Sequence, residues 1–339
     1  MVTRIYTLVA ALWALVWMVS CDATIHEYPR EAGYREMEVE VALEVHAVLN
    51  VDCSIYNEAL PRPELTSDMM RVLFYSPQSG RLAAQCFISD KSLTDDGHET
   101  LSGRVVLPPG DYTMLAYNFD TEAVRVENVN SLTDIHACTP EIPGTLQARL
   151  GGADGVPVFR QPEHLLVCRK QVHVGEDKRK VVIKGEARTV VDTYYLQVRV
   201  RGLKYASTAR ATLSGMSRSN RIGLNERDGE DSKIMFDLTG GTDPRIGEEN
   251  KEVLCTLFNT FGKTEQASEL TVRFDIITSD GTRYVKTLDI EPVFHTEDAI
   301  ERHWLLIDYV LDIPEPHKPG GGFDPGMTEW DEIHEVIEL

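Results

Sequence analysis

From Met37 to Leu49 the chain alternates with period two. Met37, Val39, Val41, Leu43, Val45, Ala47 and Leu49 fall on one side, and Glu38, Glu40, Glu44 and His46 on the other. Successive side chains of a strand point to opposite faces, so this pattern specifies a half-buried strand and is incompatible with an amphipathic helix. The glutamate face must meet water, because an unpaired carboxylate is too costly to bury. Further segments have the same character: Arg71 to Tyr75, Gln85 to Ser89, Gly103 to Leu107 and Asp111 to Asn118, with Pro108-Pro109-Gly110 as a turn before the last. In the second half, Tyr194, Leu196, Val198 and Val200 alternate with Tyr195, Gln197, Arg199 and Arg201. Leu270, Val272, Phe274 and Ile276 do the same with Thr271, Arg273 and Asp275. Asp280-Gly281 predicts a type I′ hairpin returning through Arg283 to Ile290, and Leu305 to Leu311 is one more strand. One helical turn is expected over Gln161 to Leu166, and long amphipathic helices are absent. Many short strands spaced by turn residues predict an all-β chain built of sandwiches.

The N-terminus carries a second pattern. Arg4 is followed by an uncharged run, Leu8 to Val19, then Ser20, Cys21 and the polar Asp22. Twelve apolar residues are too few to cross a hydrocarbon core of ~30 Å as a helix, and suit the central region of an export signal. A small residue before a cysteine at the end of such a run resembles the lipobox of bacterial lipoproteins, with Met18 and Val19 departing from the usual pattern. That resemblance implies cleavage before Cys21 and an acyl anchor on it, palmitate among its chains. Residues 1–20 are then the signal and residues 21–36, with Pro29 and Gly33, a polar tether.

The 339 residues suffice for about two domains at ~150 residues each. The expected division is an N-terminal sandwich over 37–165 and a C-terminal sandwich over 166–313. With 34 basic and 54 acidic residues the net charge is −20, which argues against nucleic acid as a partner, because that binding rests on Lys and Arg displacing counterions. Beyond Cys21 five cysteines remain, Cys53, Cys86, Cys138, Cys168 and Cys255. An odd number leaves at least one outside any intramolecular disulfide. Most are expected to be small buried hydrophobes, with a Cys53–Cys86 bridge as an open alternative.

No catalytic pattern stands out. The chain lacks HExxH, a P-loop, a dinucleotide-binding glycine motif and a nucleophile elbow. No catalytic residue, cofactor or metal is expected, and the protein is read as a non-enzyme. The ten histidines show no pair on one helical face, and His46 reads as a solvated strand residue. The acidic loops at Asp95–Glu99 and Asp228–Asp231 do not match the EF-hand pattern. Tyr194 with Tyr195, or Trp304 with Trp330, could form a sugar-stacking platform, with packing as the simpler role. In the tail, 314–339, Pro314, Pro316 and Pro319 precede Gly320-Gly321-Gly322. Beyond this break Phe323, Met327, Trp330, Ile333, Val336, Ile337 and Leu339 punctuate an acidic segment too apolar for a disordered tail. The segment is expected to dock as a strand, on its own domain or on a partner.

Several features together resemble the fimbrillin-like lipoproteins of Bacteroidota. They are Cys21-Asp22, the strand Met37–Leu49, and Leu107-Pro108-Pro109-Gly110-Asp111-Tyr112 running into Ala116-Tyr117-Asn118. To these add Val198-Arg199-Val200-Arg201-Gly202-Leu203, Ala211-Thr212-Leu213-Ser214-Gly215, and the glycine break before Phe323 and Trp330. The similarity spans most of the mature chain and is strongest to a subgroup of lipoproteins related to minor and anchor fimbrial subunits. It implies two tandem transthyretin-like β-sandwich domains and assembly by strand addition, with Phe323 and Trp330 as anchors in the added strand. It also implies other fimbrial subunits as partners, a host or glycan ligand as a further one, and a lipid-anchored, surface-exposed place in the outer membrane. Asp22 alone does not separate inner from outer membrane. Major subunits of this family are cut after a basic residue near the first strand. Arg30 and Arg35 lie there, and an anchoring subunit should stay uncut to keep its lipid. The alternative is a surface glycan-binding lipoprotein with an exposed aromatic platform at a sandwich edge.

Overall fold

A computed structural model describes residues 36–316 and 334–335, except 47, 54–59, 61–64, 66, 95–96, 120, 151–154, 177–180, 244, 246–250 and 265–268. Cys21, Arg30, Arg35, Phe323 and Trp330 lie outside the described residues, as does the signal with its tether up to residue 35.

The described chain is all-β. Its first half carries β1 (Met37–His46), β2 (Met70–Tyr75), β3 (Leu82–Ile88), β4 (Asp90–Leu93), β5 (Glu99–Leu107), β6 (Gly110–Asn118), β7 (Arg125–Glu127), β8 (His136–Cys138), helix α1 (Gly144–Leu150), β9 (Val158–Arg160), β10 (Leu166–Val174) and β11 (Val181–Thr189). Its second half carries β12 (Asp192–Arg201), β13 (Ala206–Met216), β14 (Ser219–Arg221), β15 (Glu226–Arg227), β16 (Ser232–Asp237), β17 (Thr239–Thr242), β18 (Glu252–Thr260), β19 (Thr271–Thr278) and β20 (Arg283–Asp289). Helices α2 (Glu291–Phe294) and α3 (Glu297–Arg302) follow, then β21 (Trp304–Asp312) and β22 (His334–Glu335).

β1 forms as its alternation dictates. Met37, Val39, Val41, Leu43 and Val45 are buried, and the intervening residues are partly or fully exposed. It lies inside an eight-stranded sheet of order β3-β2-β6-β10-β11-β1-β5-β4, antiparallel to β5 and parallel to β11. β10 and β11 share only two register pairs, Leu166↔Thr189 and Val167↔Arg188. There the sheet folds over, and a core forms between its two arms from Val39, Val41, Leu43, Val72, Phe74, Met114, Ile183 and their neighbours. Two glycines permit the closure. A Cβ on Gly103 of β5 would stand 2.7 Å from the Ile88 side chain, and one on Gly185 of β11 would stand 2.7 Å from Cys168 Sγ.

The second half is a sandwich of a four-stranded sheet, β17-β18-β12-β21, and a six-stranded sheet, β22-β20-β19-β13-β16-β9. Leu196, Val198, Phe258, Leu305 and Ile307 from the first meet Leu213, Phe236, Val272, Phe274 and Leu288 from the second. Phe236 and Phe258 stack at 4.5 Å between centroids.

The halves interlock. A fourth sheet, β15-β14-β8-β7, takes two strands from each. β9 leaves the first half to pair in parallel with β16. Leu73, Tyr75, Leu115 and Tyr117, on the outer face of β2 and β6, share one core with Ile135, Ile222 and Phe261. The segment after β1 packs Val51 and Leu60 against Tyr195 and Trp304, and the Trp304 indole N–H donates to the Asp52 carbonyl at 2.7 Å.

Several expectations are corrected here. β10 and β11, which a boundary at 165/166 would place in the second domain, pair within the first sheet, so the chain passes between sandwiches near residue 190. Gln161 to Leu166 is not helical; the helical turns lie at Gly144–Leu150 instead. The Asp280-Gly281 hairpin is not type I′. In its loop only Gly281 has positive φ (86°), and the N–H of Gly281 bonds the Thr278 carbonyl at 3.0 Å. This is a three-residue loop closed by a left-handed glycine. Cys53 and Cys86 are not bridged. Burial of Cys168 and Cys255, with the thiols of Cys86 and Cys255 pushed up to about 11 by desolvation, fits their reading as small hydrophobes.

Candidate functional site

A sheet edge exposes unpaired backbone groups and is where a further strand can add. β20 bounds the six-stranded sheet and is set by the hairpin to β19, with register Ile277↔Arg283 through Thr271↔Asp289. The tail returns to it: β22 lies parallel to β20 with Thr287↔His334 and Leu288↔Glu335. The tail therefore reaches a strand position on its own domain, one of the two alternatives left open by the sequence. Among the described residues, the tail's pairing with β20 is seen at Thr287 and Leu288. Leu288 is fully buried, and Tyr284 and Tyr309 pack partly buried against the same core. The Lys286 ammonium stands 5.0 Å from the Tyr309 ring centroid, and burial raises the Tyr284 phenol. The surroundings of this edge thus combine apolar and aromatic side chains with Lys286 and with Arg283, which is paired with Asp275, a setting suited to alternating side chains of an added strand.

A second feature lies at an edge of the first sheet. Phe87 on edge strand β3 and Phe119 just after β6 are 48% and 46% exposed, with ring centroids 5.3 Å apart. The Arg71 guanidinium sits 5.9 Å and 5.8 Å from the two rings and is held by Gln85 at 2.6 Å and the Tyr117 hydroxyl at 3.2 Å. Neither phenylalanine stands out in the sequence, because the pair forms only when β3 and β6 flank β2. Of the aromatics that the sequence does single out, Tyr194, Tyr195 and Trp304 are structural, and Trp330 lies outside the described residues. Tyr195 and Trp304 are buried, and Tyr194 stacks on Phe258 and His303.

Between β10–β11 and the β14–β15 hairpin lies a cleft of about 960 Å³. Its carboxylates are already engaged: Asp192 with Arg227 at 3.0 Å, Glu226 with Arg221 at 2.7 Å, and Asp228 with Arg218 at 3.4 Å. Burial pushes the Asp228 carboxyl up, but hydrogen bonds from the Glu230 N–H, the Ser219 hydroxyl and Arg218 together bring it below its ordinary range. Paired in this way, the three do not converge as an acid and a base would. His46 contacts Glu44 at 3.4 Å and the His98 ring at 5.0 Å, so it is tied to neighbours and not merely solvated. Among the described residues no helix is long and apolar enough to cross a membrane.

Comparison with known proteins gives a consistent picture. A family model described as a domain of unknown function, DUF5119, matches residues 47–237. The chain is 23% identical over 289 residues to "Putative fimbrium anchoring subunit Fim4B" of Bacteroides ovatus, covering 77% of this chain and 81% of that one. A crystal structure titled as a "putative adhesin" from Bacteroides ovatus shares the fold with a TM-score of 0.55 at 18% identity, covering 85% of this chain and 95% of that one. The fimbrial anchor protein Mfa2 from Porphyromonas gingivalis matches at a TM-score of 0.44 and 12% identity over 79% of this chain and 88% of its own, too distant to argue from. The resemblance to Bacteroidota fimbrial proteins read from the sequence is borne out by these relatives.

Proposed function

This chain belongs to the DUF5119 family, and on that premise we propose that it is a cell-surface accessory or anchor subunit of a fimbrium, joined to its neighbours by β-strand addition. The observation that carries this reading is the tail strand β22 on the β20 edge. The position that the tail takes on β20 is one that a strand from another subunit can take while the tail pairs elsewhere. Main-chain hydrogen bonds would supply strength, and Phe323 and Trp330 would seat as anchors. In this reading Cys21 carries the lipid, the tether stays uncut at Arg30 and Arg35, and the body stands on the outer membrane as a non-enzyme. The folded-over first sheet and the second sandwich then correspond to two transthyretin-like domains. The fimbrial name of the curated relative supports the assembly role.

The test is an affinity pull-down from native membranes with the full chain and with a chain truncated after Pro319. Fimbrial subunits are expected to co-purify with the first and to be lost with the second. Equal recovery with both would leave assembly standing and remove the tail from it, and no subunit in either would overturn the role. The Phe87–Phe119 shelf favours a second reading, glycan binding, since two exposed rings and a cation suit a sugar face. Glycan retained by the full chain and lost in Phe87→Ala would support it.

A further inference from the structure

We propose that Glu127, His136 and Cys138 form a zinc site on the sheet that joins the two halves. The register of two short strands assembles it. Glu127 of β7 lies directly opposite His136 of β8, and Cys138 follows His136 by two positions. Alternation therefore places all three on one face of the hairpin. Val126 and Ala137 take the other face, where Ala137 is buried in the shared core. One ligand atom from each of the three lies within 4.8 Å of the others, and His136 Nε2 stands 3.6 Å from Glu127 Oε2. Ligand atoms around tetrahedral zinc are about 3.3–3.6 Å apart, given bonds of about 2.0–2.3 Å. The pair is thus already at coordinating separation, and the thiol lies within reach of both, where rotamer adjustment can bring it to the metal.

A second observation fixes the imidazole. His136 Nδ1 is 3.0 Å from the Asp134 carbonyl. A carbonyl only accepts, so Nδ1 is the donor in this contact and Nε2 is the ring nitrogen left to bind a metal beside Glu127. A metal-binding histidine is oriented in this manner by a backbone carbonyl. The set, one sulfur, one nitrogen and one carboxylate oxygen, is the borderline-soft mixture that zinc takes, and the harder calcium and magnesium do not. On binding, the Cys138 S–H gives its proton to solvent and forms the Zn–S bond, with water in the fourth position.

Two arginines stand near. Arg125 lies opposite Cys138 and is exposed at the hairpin's end, while Arg218 is engaged by Glu230 at 2.6 Å and Asp228 at 3.4 Å. A second cluster, Glu44, His46 and Glu186, is a poorer candidate because Arg188 already occupies Glu186 at 2.6 Å. Zinc at the β7–β8 site would clamp β7 to β8, and through the β8–β14 pairing would brace the junction of the halves.

The experiment uses the full chain, reduced and freed of metal. Zinc is measured by equilibrium dialysis, and cobalt(II) serves as the spectroscopic probe. One zinc per chain is expected, with a cobalt–thiolate charge-transfer band that disappears in Cys138→Ser and affinity at least tenfold weaker in His136→Ala and Glu127→Gln. All three substitutions lie on the outer face, and the thermal midpoint of each metal-free variant should match the metal-free parent, separating loss of binding from loss of fold. Absence of bound zinc, or binding and a thiolate band that survive Cys138→Ser, would overturn the site.

Discussion

Asp243 is only 3% exposed, yet it is charged and fully used. Arg245 grips it through Nε and Nη2 at 2.8 Å and 2.6 Å, and the Gln197 amide donates at 2.7 Å while accepting from the Tyr195 hydroxyl at 2.6 Å. These hydrogen bonds, those from Arg245 foremost, hold the carboxyl at about 2 against an ordinary 3.8. A depressed carboxyl pKa gives stability that is fully present above the ordinary value and is lost as pH falls through the folded one. Asp243→Asn should therefore cost about 2 kcal/mol near neutral pH. In urea titrations at several pH values, the gap from the parent should close as pH drops from the ordinary carboxyl value toward the folded one. A gap independent of pH would mean that the substitution disturbs packing and not charge. None of this was visible in the sequence, where Gln197 and Asp243 stand far apart and acquire meaning only when β12 and the chain after β17 are brought together.

At the scale of elements, β1 was legible because one face is buried along its whole length and the side-chain period reports burial directly. β7 and β8 were not, since three residues carry too little period to detect. Their chemistry was equally hidden: Glu127, His136 and Cys138 become neighbours through cross-strand register, which no local spacing records. The 278–282 hairpin shows a finer limit. Asp-Gly marked the turn correctly, but the extra residue Ser279 selected a three-residue loop over type I′. Gly281 has nothing within 4 Å of a built Cβ, so Gly281→Ala tests conformation alone. It should cost about 1 kcal/mol in chemical denaturation, the left-handed penalty for a residue with a Cβ. A neutral substitution would show that the turn relaxes.

The whole molecule behaves as interlocked halves. Gly223 marks how tightly: a Cβ there would fall 1.8 Å from the Leu132 carbonyl oxygen and 2.8 Å from Ile135. Backbone must move to admit it, so Gly223→Ala should destabilise by about 3 kcal/mol. Because Asn50 also bonds the Thr193 N–H at 2.9 Å and Asp192 at 3.2 Å, both halves share polar as well as apolar contacts. Calorimetry of residues 37–339 should show one cooperative transition, lowered as a unit by Gly223→Ala. Two separated transitions, with only one displaced, would mean that the junction is too weak to couple the halves. By the same argument, residues 191–339 expressed alone should be unstable, since β9 would be missing from β16 and Ile222 and Phe261 would be left uncovered.

The amino-acid sequence by itself determined the all-β class, the position of the long strands and the kinship with fimbrial proteins, because alternation, turn residues and family motifs are written along the chain. Only the tertiary structure decided that β10 and β11 complete the first sheet, that the tail's β22 lies on β20, and that Phe87 meets Phe119. The physical reason is that a strand's period says which side chains face inward and nothing about which strand its backbone will pair with. Partner choice follows from closing a core over the whole chain. Thus Gly103 and Gly185, unremarkable in the sequence, admit the close approach of Ile88 and Cys168 inside the first core, and three side chains on two short strands become a candidate metal site.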